Sequence, residues 1–287
     1  MGPSASLSIA GQYLCMTWIG VVHSSHSSHS SHSSHSSPVI HRSLRAALEL
    51  AIPTTCGGCG TPGVIWCSEC AHETAQAAYA GGPIQVRPTP CPLGYPPTWA
   101  ATPYESAARA ALVAFKDGDR RDLGTVLSQM LSAALAATFA KDPGVRQVLA
   151  SGNGPVFVVP VPSSRSALRR RGDAPLELLT RAALAQMARC AREVIVSPAL
   201  RLRRRVADQA GLDHGQRAAN VEHAMQVHPR WRESVQGATC VLTDDVLTTG
   251  ATLGEAARAL LAGGAVHVAA ATVAATQRRG IPAGEGG

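Results

Sequence analysis

The chain is short of aromatic residues: Phe, Tyr and Trp together make up 4% of its 287 residues. A core must then be filled by Val, Leu, Ala and Ile, and few rings remain on which the bases of a single-stranded nucleic acid could stack. Lysine is nearly absent as well. Of the 26 Lys and Arg residues only Lys116 and Lys141 are lysines, so the formal net charge of +7 is carried by arginine. That excess favours association with anions, whether phosphorylated ligands or nucleic acid, and names no activity. There is also no uninterrupted apolar run of the roughly 20 residues that a membrane-spanning helix needs. The apolar stretch Ile9–Val22 is shorter, follows no basic segment, and contains Gln12, Tyr13 and Thr17. A leader or membrane anchor is therefore not expected, and a cytoplasmic location is.

What is present suggests one substantial α/β domain with a small appendage. His23–Ser37 is a tandem His-Ser-Ser repeat, which cannot bury a core and is expected to be disordered. Its imidazoles could bind zinc or nickel weakly, but a translated short DNA repeat, lying ahead of the true start, is the favoured account of it. Ser43–Ile52 has Leu44, Ala47, Leu48 and Ala51 at helical spacing and predicts a short amphipathic helix. Gly81–Pro103 is dense in Pro and Gly and is expected to be a linker.

Beyond it, apolar positions three and four apart predict helices over Tyr104–Phe115 and Asp122–Phe139. Pro155–Pro162, PVFVVPVP, predicts a strand buried on both faces. A helix over Ala174–Arg192, strands at Val194–Ser197 and Cys240–Asp244, a helix over Leu253–Leu261 and a last strand at Val266–Val273 follow. This alternation predicts an α/β fold with a parallel sheet flanked by helices.

Eight cysteines could imply disulfides, but four of them form two CxxC pairs, Cys56/Cys59 and Cys67/Cys70, with seven residues between the pairs. Two such turns can aim four thiolates at one metal, completing a closed tetrahedral zinc site of a structural kind. A zinc ion there would fold a segment too small for a core of its own. A redox disulfide is the alternative reading. Cys190 and Cys240 read as small core residues.

The most specific signal is Val241–Thr252, VLTDDVLTTGAT. An apolar strand delivers Asp244 and Asp245 to the edge where open parallel sheets place ligands. Val246–Ala251 is expected to form the turn, with Thr252 capping the helix that begins at Leu253. Thr248, Thr249 and Thr252 offer hydroxyls, Gly250 and Ala251 let backbone N–H groups close on an anion, and the helix N-terminus adds partial positive charge. Donors for a phosphate beside paired carboxylates suit a ribose 5-phosphate. The acids would accept from two ribose hydroxyls or hold Mg²⁺ through water.

This loop resembles the fingerprint of type I phosphoribosyltransferases. From about Ser43 onward the chain is similar to the ComF family, through the paired CxxC motifs, YESAARAALVAFKDGDR at 104–120, VVPVPSSRSALRRRG at 158–172 and LRLRRRVADQAGLDHGQRAANV at 200–221. The resemblance implies that Asp244 and Asp245 meet the ribose hydroxyls and serve catalysis. It implies that Val246, Thr248, Thr249, Gly250, Ala251 and Thr252 hold the 5′-phosphate, and that Ser163, Ser164 and Arg165 lie on the pyrophosphate side. The chain departs from the family pattern at Asp173, Ala174 and Pro175, where a Phe-Asn-Gln run is common.

Two arginine segments stay open to several readings. Arg165 and Arg169–Arg171 suit pyrophosphate oxygens. Arg201 and Arg203–Arg205, with Gln209, Arg217 and Asn220, fall where the type I fold often carries a closing flap. Both segments also read as a DNA-phosphate surface or as solvated helix faces.

The expected layout is a low-complexity segment at 1–42, a zinc-binding module at 43–80, a linker at 81–103, a phosphoribosyltransferase-like domain at 104–280 and a disordered tail at 281–287. Two functions follow from it. One is transfer of phosphoribose from phosphoribosyl pyrophosphate to a nitrogenous acceptor, with Mg²⁺ assisting and zinc structural. The other is a non-catalytic role in DNA uptake (competence) or DNA processing, binding a nucleotide, single-stranded DNA or a DNA helicase.

Overall fold

A computed structural model describes residues 54–163, 174–187, 193–203 and 223–276. The His-Ser-Ser tract, the helix expected at Ser43–Ile52, the C-terminal tail, Ser164, Arg165, Arg169–Arg171, Cys190, Arg204, Arg205, Gln209, Arg217 and Asn220 lie outside the described residues.

Helix α1 (Ser68–Ala77) follows the four cysteines. Two strands come next, β1 (Ile84–Val86) and β2 (Thr98–Pro103), then helices α2 (Ser106–Asp117), α3 (Gly124–Lys141) and α4 (Pro143–Ser151). Strand β3 (Val156–Pro160), helix α5 (Pro175–Ala185), and strands β4 (Val194–Val196), β5 (Leu200–Leu202) and β6 (Met225–Val227) follow. The short helix α6 (Arg232–Val235), strand β7 (Thr239–Leu247), helix α7 (Ala251–Ala262) and strand β8 (His267–Ala275) complete the order.

Six strands form one sheet in the order β1-β2-β8-β7-β3-β4, parallel except for β1, and β5 with β6 makes a separate antiparallel pair. Alternate residues of the central strands feed two cores. Val156, Val158, Val241, Ala269, Ala271 and Val273 pack with α2, α3 and α5, whereas Phe157, Val159, Cys240, Leu242, Val268 and Ala270 pack with α7 and the β5–β6 pair. A strand sandwiched between two helical layers has no polar face, which is why PVFVVP reads as a continuous apolar run. Helix α3 is long and apolar enough to cross a bilayer by composition. It lies against β2, β8 and α5, with Leu127, Leu131, Ala134 and Leu135 fully buried.

The structure corrects several expectations. The stretch 81–103 is no linker: it supplies β1 and β2, and β2 pairs in parallel with β8 through Thr98–Ala270 and Pro103–Ala275. The TWAATP strand is buried throughout, so its backbone N–H and C=O groups are satisfied in the sheet as burial demands. Helix α4 was not expected. Asp142 caps it by accepting from Val145 N–H at 2.9 Å, Pro143 occupies its first turn, and Gly152 ends it in the left-handed conformation.

Asp142 also ties two layers together. Its Oδ1 lies 2.7 Å from His267 Nε2 at the start of β8, and the residue is fully buried. Replacing it would strand a helix N–H and leave the imidazole without its carboxylate. Asp142→Ala is expected to lower unfolding stability by about 1–3 kcal/mol in a urea titration. A change within error of zero would assign the cap no structural role.

Candidate functional site

Strand β7 runs on through Leu247, three residues beyond the expected end, because Val246 and Leu247 pair with Ala274 and Ala275 of β8. The turn is correspondingly tighter. Only Thr248, Thr249 and Gly250 connect β7 to α7, whose first residue is Ala251. Gly250, not Thr252, occupies the cap position, at φ 74°, with no side-chain cap. A Cβ there would come within 2.6 Å of Pro88 and 2.8 Å of Tyr95, so position 250 needs glycine both for its backbone and for the Pro-rich segment packed over it. Thr249 Oγ1 accepts from Ala251 N–H at 3.3 Å, and Thr252 lies inside the first turn of α7. Exposed Thr248 and half-buried Thr249 thus stand beside a free helix N-terminus.

Asp244 and Asp245 are consecutive near the end of β7, where regular alternation breaks down: Asp245 has no partner in the β8 register, Val246 packs with the core under α2, α3 and α5, and Leu247 packs with the α7 core. Asp244 pairs in register with Thr272 of β8 and follows Cys240 and Leu242 on the α7 side. Its Oδ1 accepts from Asp245 N–H at 2.9 Å. Burial, together with the charge of Asp245, pushes its carboxyl up to about 8, against the pull of Lys116. Asp245 faces α2. There Lys116 Nζ approaches its Oδ2 to 3.0 Å and its Oδ1 to 3.4 Å, and Oδ1 also accepts from Val246 N–H. The Asp245 charge, more than any other, raises the Lys116 ammonium. Thr272 Oγ1 and Thr102 Oγ1, both buried near this edge, have no hydrogen-bond partner.

Ser163 follows the end of β3 at the same sheet edge, one strand over from the acids. The remaining residues assigned to the pyrophosphate side, Ser164 and Arg165, lie outside the described residues. Of the arginine run at 201–205, Arg201 is spent locally. With the Gln226 amide oxygen turned towards it, the guanidinium donates across the β5–β6 pair at 2.7 and 2.8 Å.

Glu255 on α7 anchors that strand pair. It accepts from Met225 N–H at 2.8 Å and from Arg258 at 2.6 and 2.9 Å, while Arg258 donates to Met225 C=O at 3.2 Å. Burial alone would raise this carboxyl; the Arg258 and Met225 donors outweigh it and hold the group below the usual range.

Residues 191–283 match the family model described as the phosphoribosyl transferase domain. That segment, less than half of the chain, is similar to a phosphoribosyltransferase domain. The match takes in β4 through β8, the acid pair and the whole β7–α7 turn. A comparison with curated proteins finds no match.

The four cysteines converge as their spacing predicts. The Sγ atoms of Cys56, Cys59, Cys67 and Cys70 all lie within 4.8 Å of one another, and Cys59 Sγ is 3.6 Å from Cys67 Sγ. Those separations exceed a disulfide bond of about 2.05 Å and suit four sulfurs each about 2.3 Å from one zinc ion. The donor set is therefore able to hold zinc. Gly58 N–H and Cys67 N–H each donate to Cys56 Sγ at 3.4 Å. Burial opposes ionisation of Cys56, yet the surrounding backbone N–H groups bring it down to about 6. Cys56 is thus ready to bind metal as a thiolate, while burial and the neighbouring sulfurs push the Cys70 thiol up.

Lys116, Glu255, Arg258 and Tyr95 were not singled out from the sequence. No spacing rule links Lys116 to an acid 129 positions away; its rarity was the one visible hint.

Asp244 offers a pH test. Its folded value of about 8 lies above the ordinary 3.8, so the native state keeps a proton that the unfolded chain releases. The stability this contributes is complete below about pH 4 and is lost as pH rises towards about 8. Asp244→Asn should flatten that fall in urea unfolding across the window and exceed wild type at its alkaline end. Parallel curves for the two proteins would give Asp244 an ordinary acidity.

Proposed function

We propose that the chain binds phosphoribosyl pyrophosphate, or a nucleotide sharing its ribose 5-phosphate, at the C-terminal edge of β7. We further propose that it transfers the phosphoribosyl group to a nitrogenous acceptor. In that reaction the bond from ribose C1 to the pyrophosphate oxygen breaks and a C1–N bond forms. Pyrophosphate departs and the acceptor nitrogen gives up its proton. The observation that carries the reading is the juxtaposition of a carboxylate-bearing strand end with a glycine-capped helix N-terminus inside the segment that matches the phosphoribosyl transferase family model.

In this reading Thr248, Thr249 and the N–H groups of Gly250, Ala251 and Thr252 hold the 5′-phosphate. Val246 closes the strand beneath them. Asp244 and Asp245 orient the ribose through its hydroxyls, and Ser163, Ser164 and Arg165 face the diphosphate. Positioning of this kind accounts for much of the rate such transfers need. Carboxylate oxygens are suitable donors for Mg²⁺, but two acids alone do not form a protein cage. Mg²⁺ would reach the site with the ligand's phosphate oxygens, and it supplies charge neutralisation on the leaving pyrophosphate.

Titration of labelled phosphoribosyl pyrophosphate with Mg²⁺ into wild type and Asp244→Asn/Asp245→Asn tests the site. Affinity is expected to fall at least about tenfold in the double variant, and equal binding would remove the acids from it. Pyrophosphate release across a panel of bases then measures turnover. Binding without release would favour the accessory role in DNA uptake or processing, for which single-stranded DNA or a helicase is the expected partner. No contact among the described residues favours that second reading.

The cysteine cluster is proposed to hold one structural zinc ion through Cys56, Cys59, Cys67 and Cys70. Metal analysis of folded protein should find about one equivalent. Cys70→Ser should lose it together with thermal stability, and a metal-free but fully stable wild type would overturn the assignment.

A further inference from the structure

Lys116 lies in the last turn of α2, on the opposite side of the sheet from α7, and its ammonium group reaches Asp245 at 3.0 Å. The lysine side chain is 54% exposed while the aspartate is 18% exposed, so one partner is fixed within the sheet and the other is free to leave. An ion pair this exposed contributes little to stability. Its placement therefore calls for another account than folding.

The position of α2 is itself held firmly. Ala111, Leu112 and Phe115 pack into the core under the sheet. At its other end Ala107 packs with Cys56, Cys67 and Cys70. Gly58 leaves room for this: a Cβ there would stand 2.5 Å from Cys70 Sγ and 3.2 Å from Ala107 Cβ. Just after α2, Arg120 donates to Thr55 C=O at 2.6 Å and pairs with Asp122 at 2.7 Å. The cysteine module and the core thus aim the end of α2, and with it Lys116, at β7.

The Asp245 carboxylate, placed at a site meant for a phosphorylated ligand, repels it unless a cation is present. Type of cation is the open question, and here the chain supplies one. We propose that Lys116 is the resident cation of the ribose-phosphate site. By neutralising Asp245 it lets the acid pair accept from ribose hydroxyls, and it makes recognition of a sugar monophosphate independent of divalent metal. The inference rests on the ribose-phosphate reading above and adds a specificity to it: ligands with a single phosphate and a vicinal diol bind without Mg²⁺, and only the diphosphate brings the metal in.

The test is calorimetric titration of ribose 5-phosphate into wild type, Lys116→Met and Lys116→Arg, each with chelator and with excess Mg²⁺. Circular dichroism and thermal melts should show all three proteins folded alike. Wild type is expected to bind with affinities that agree within about twofold in the two conditions. Lys116→Met should bind about tenfold more weakly in chelator, a loss of one decade in Kd, and recover most of it with Mg²⁺. Lys116→Arg should stay near wild type, since a guanidinium keeps the charge.

Wild-type binding that collapses in chelator, or Lys116→Met binding that matches wild type there, overturns the role of Lys116 and leaves the ribose-phosphate site standing. Absence of ribose 5-phosphate binding by wild type in both conditions overturns the site and the lysine's role together.

Discussion

Burial of a parallel sheet on both faces is the constraint from which the rest of this structure follows. Once β3, β7 and β8 are covered by α3 and α5 on one side and α7 on the other, a charged group can be accommodated along their length only with a partner. Charged residues are then confined to the strand ends. The acids of β7 sit where the apolar register gives out, beside the turn into α7. Asp244 still feels the core behind it, and its carboxyl is pushed to about 8 in consequence. The site is therefore a product of the sheet and not an addition to it.

The two acids have different nearest neighbours. Asp244, on the α7 side, is a neighbour of Thr272 and is held largely by burial; Asp245, on the α2 side, has a lysine within reach. A sequence shows them as a pair, DD, with one chemistry. In the fold they are coupled but unlike: burial dominates the acidity of Asp244, which also feels Asp245 and Lys116, while Asp245 holds the direct ion pair with the lysine.

Much of this was legible in the chain, for identifiable reasons. PVFVVP and CVLT read as buried strands because both faces are apolar, and the four cysteines read as one cluster because CxxC spacing constrains where sulfurs can point. Thr98–Pro103 was hidden by its setting: TWAATP is short, Ala-rich and framed by prolines, and its strand character comes from pairing with β8. The limits of the acid loop were misjudged because cap propensity favours Thr252, whereas the left-handed Gly250 ends the turn earlier. Helix α4 carried a readable signal in Asp142-Pro143 and Gly152, the cap, first-turn proline and terminating glycine of a short helix. Lys116 had no local signal at all, since its partner is a third-dimensional neighbour.

The same distinction between local and long-range information explains the β5–β6 pair. Neither three-residue strand could persist alone, as a two-stranded ribbon is marginal in water. Its stability is borrowed from α7, where Glu255 and Arg258 bond both the N–H and the C=O of Met225. Burial of Glu255 would be costly without those donors, and Arg258 satisfies the carboxylate from the same helix face, three residues on. Since α7 begins at the turn after β7, the helix proposed to present its N-terminus to a ligand is also the one to which this ribbon is fastened. The ribbon and the turn consequently share one rigid support, so a change in the tilt of α7 at its first turn would be transmitted to Met225 one helical turn further along.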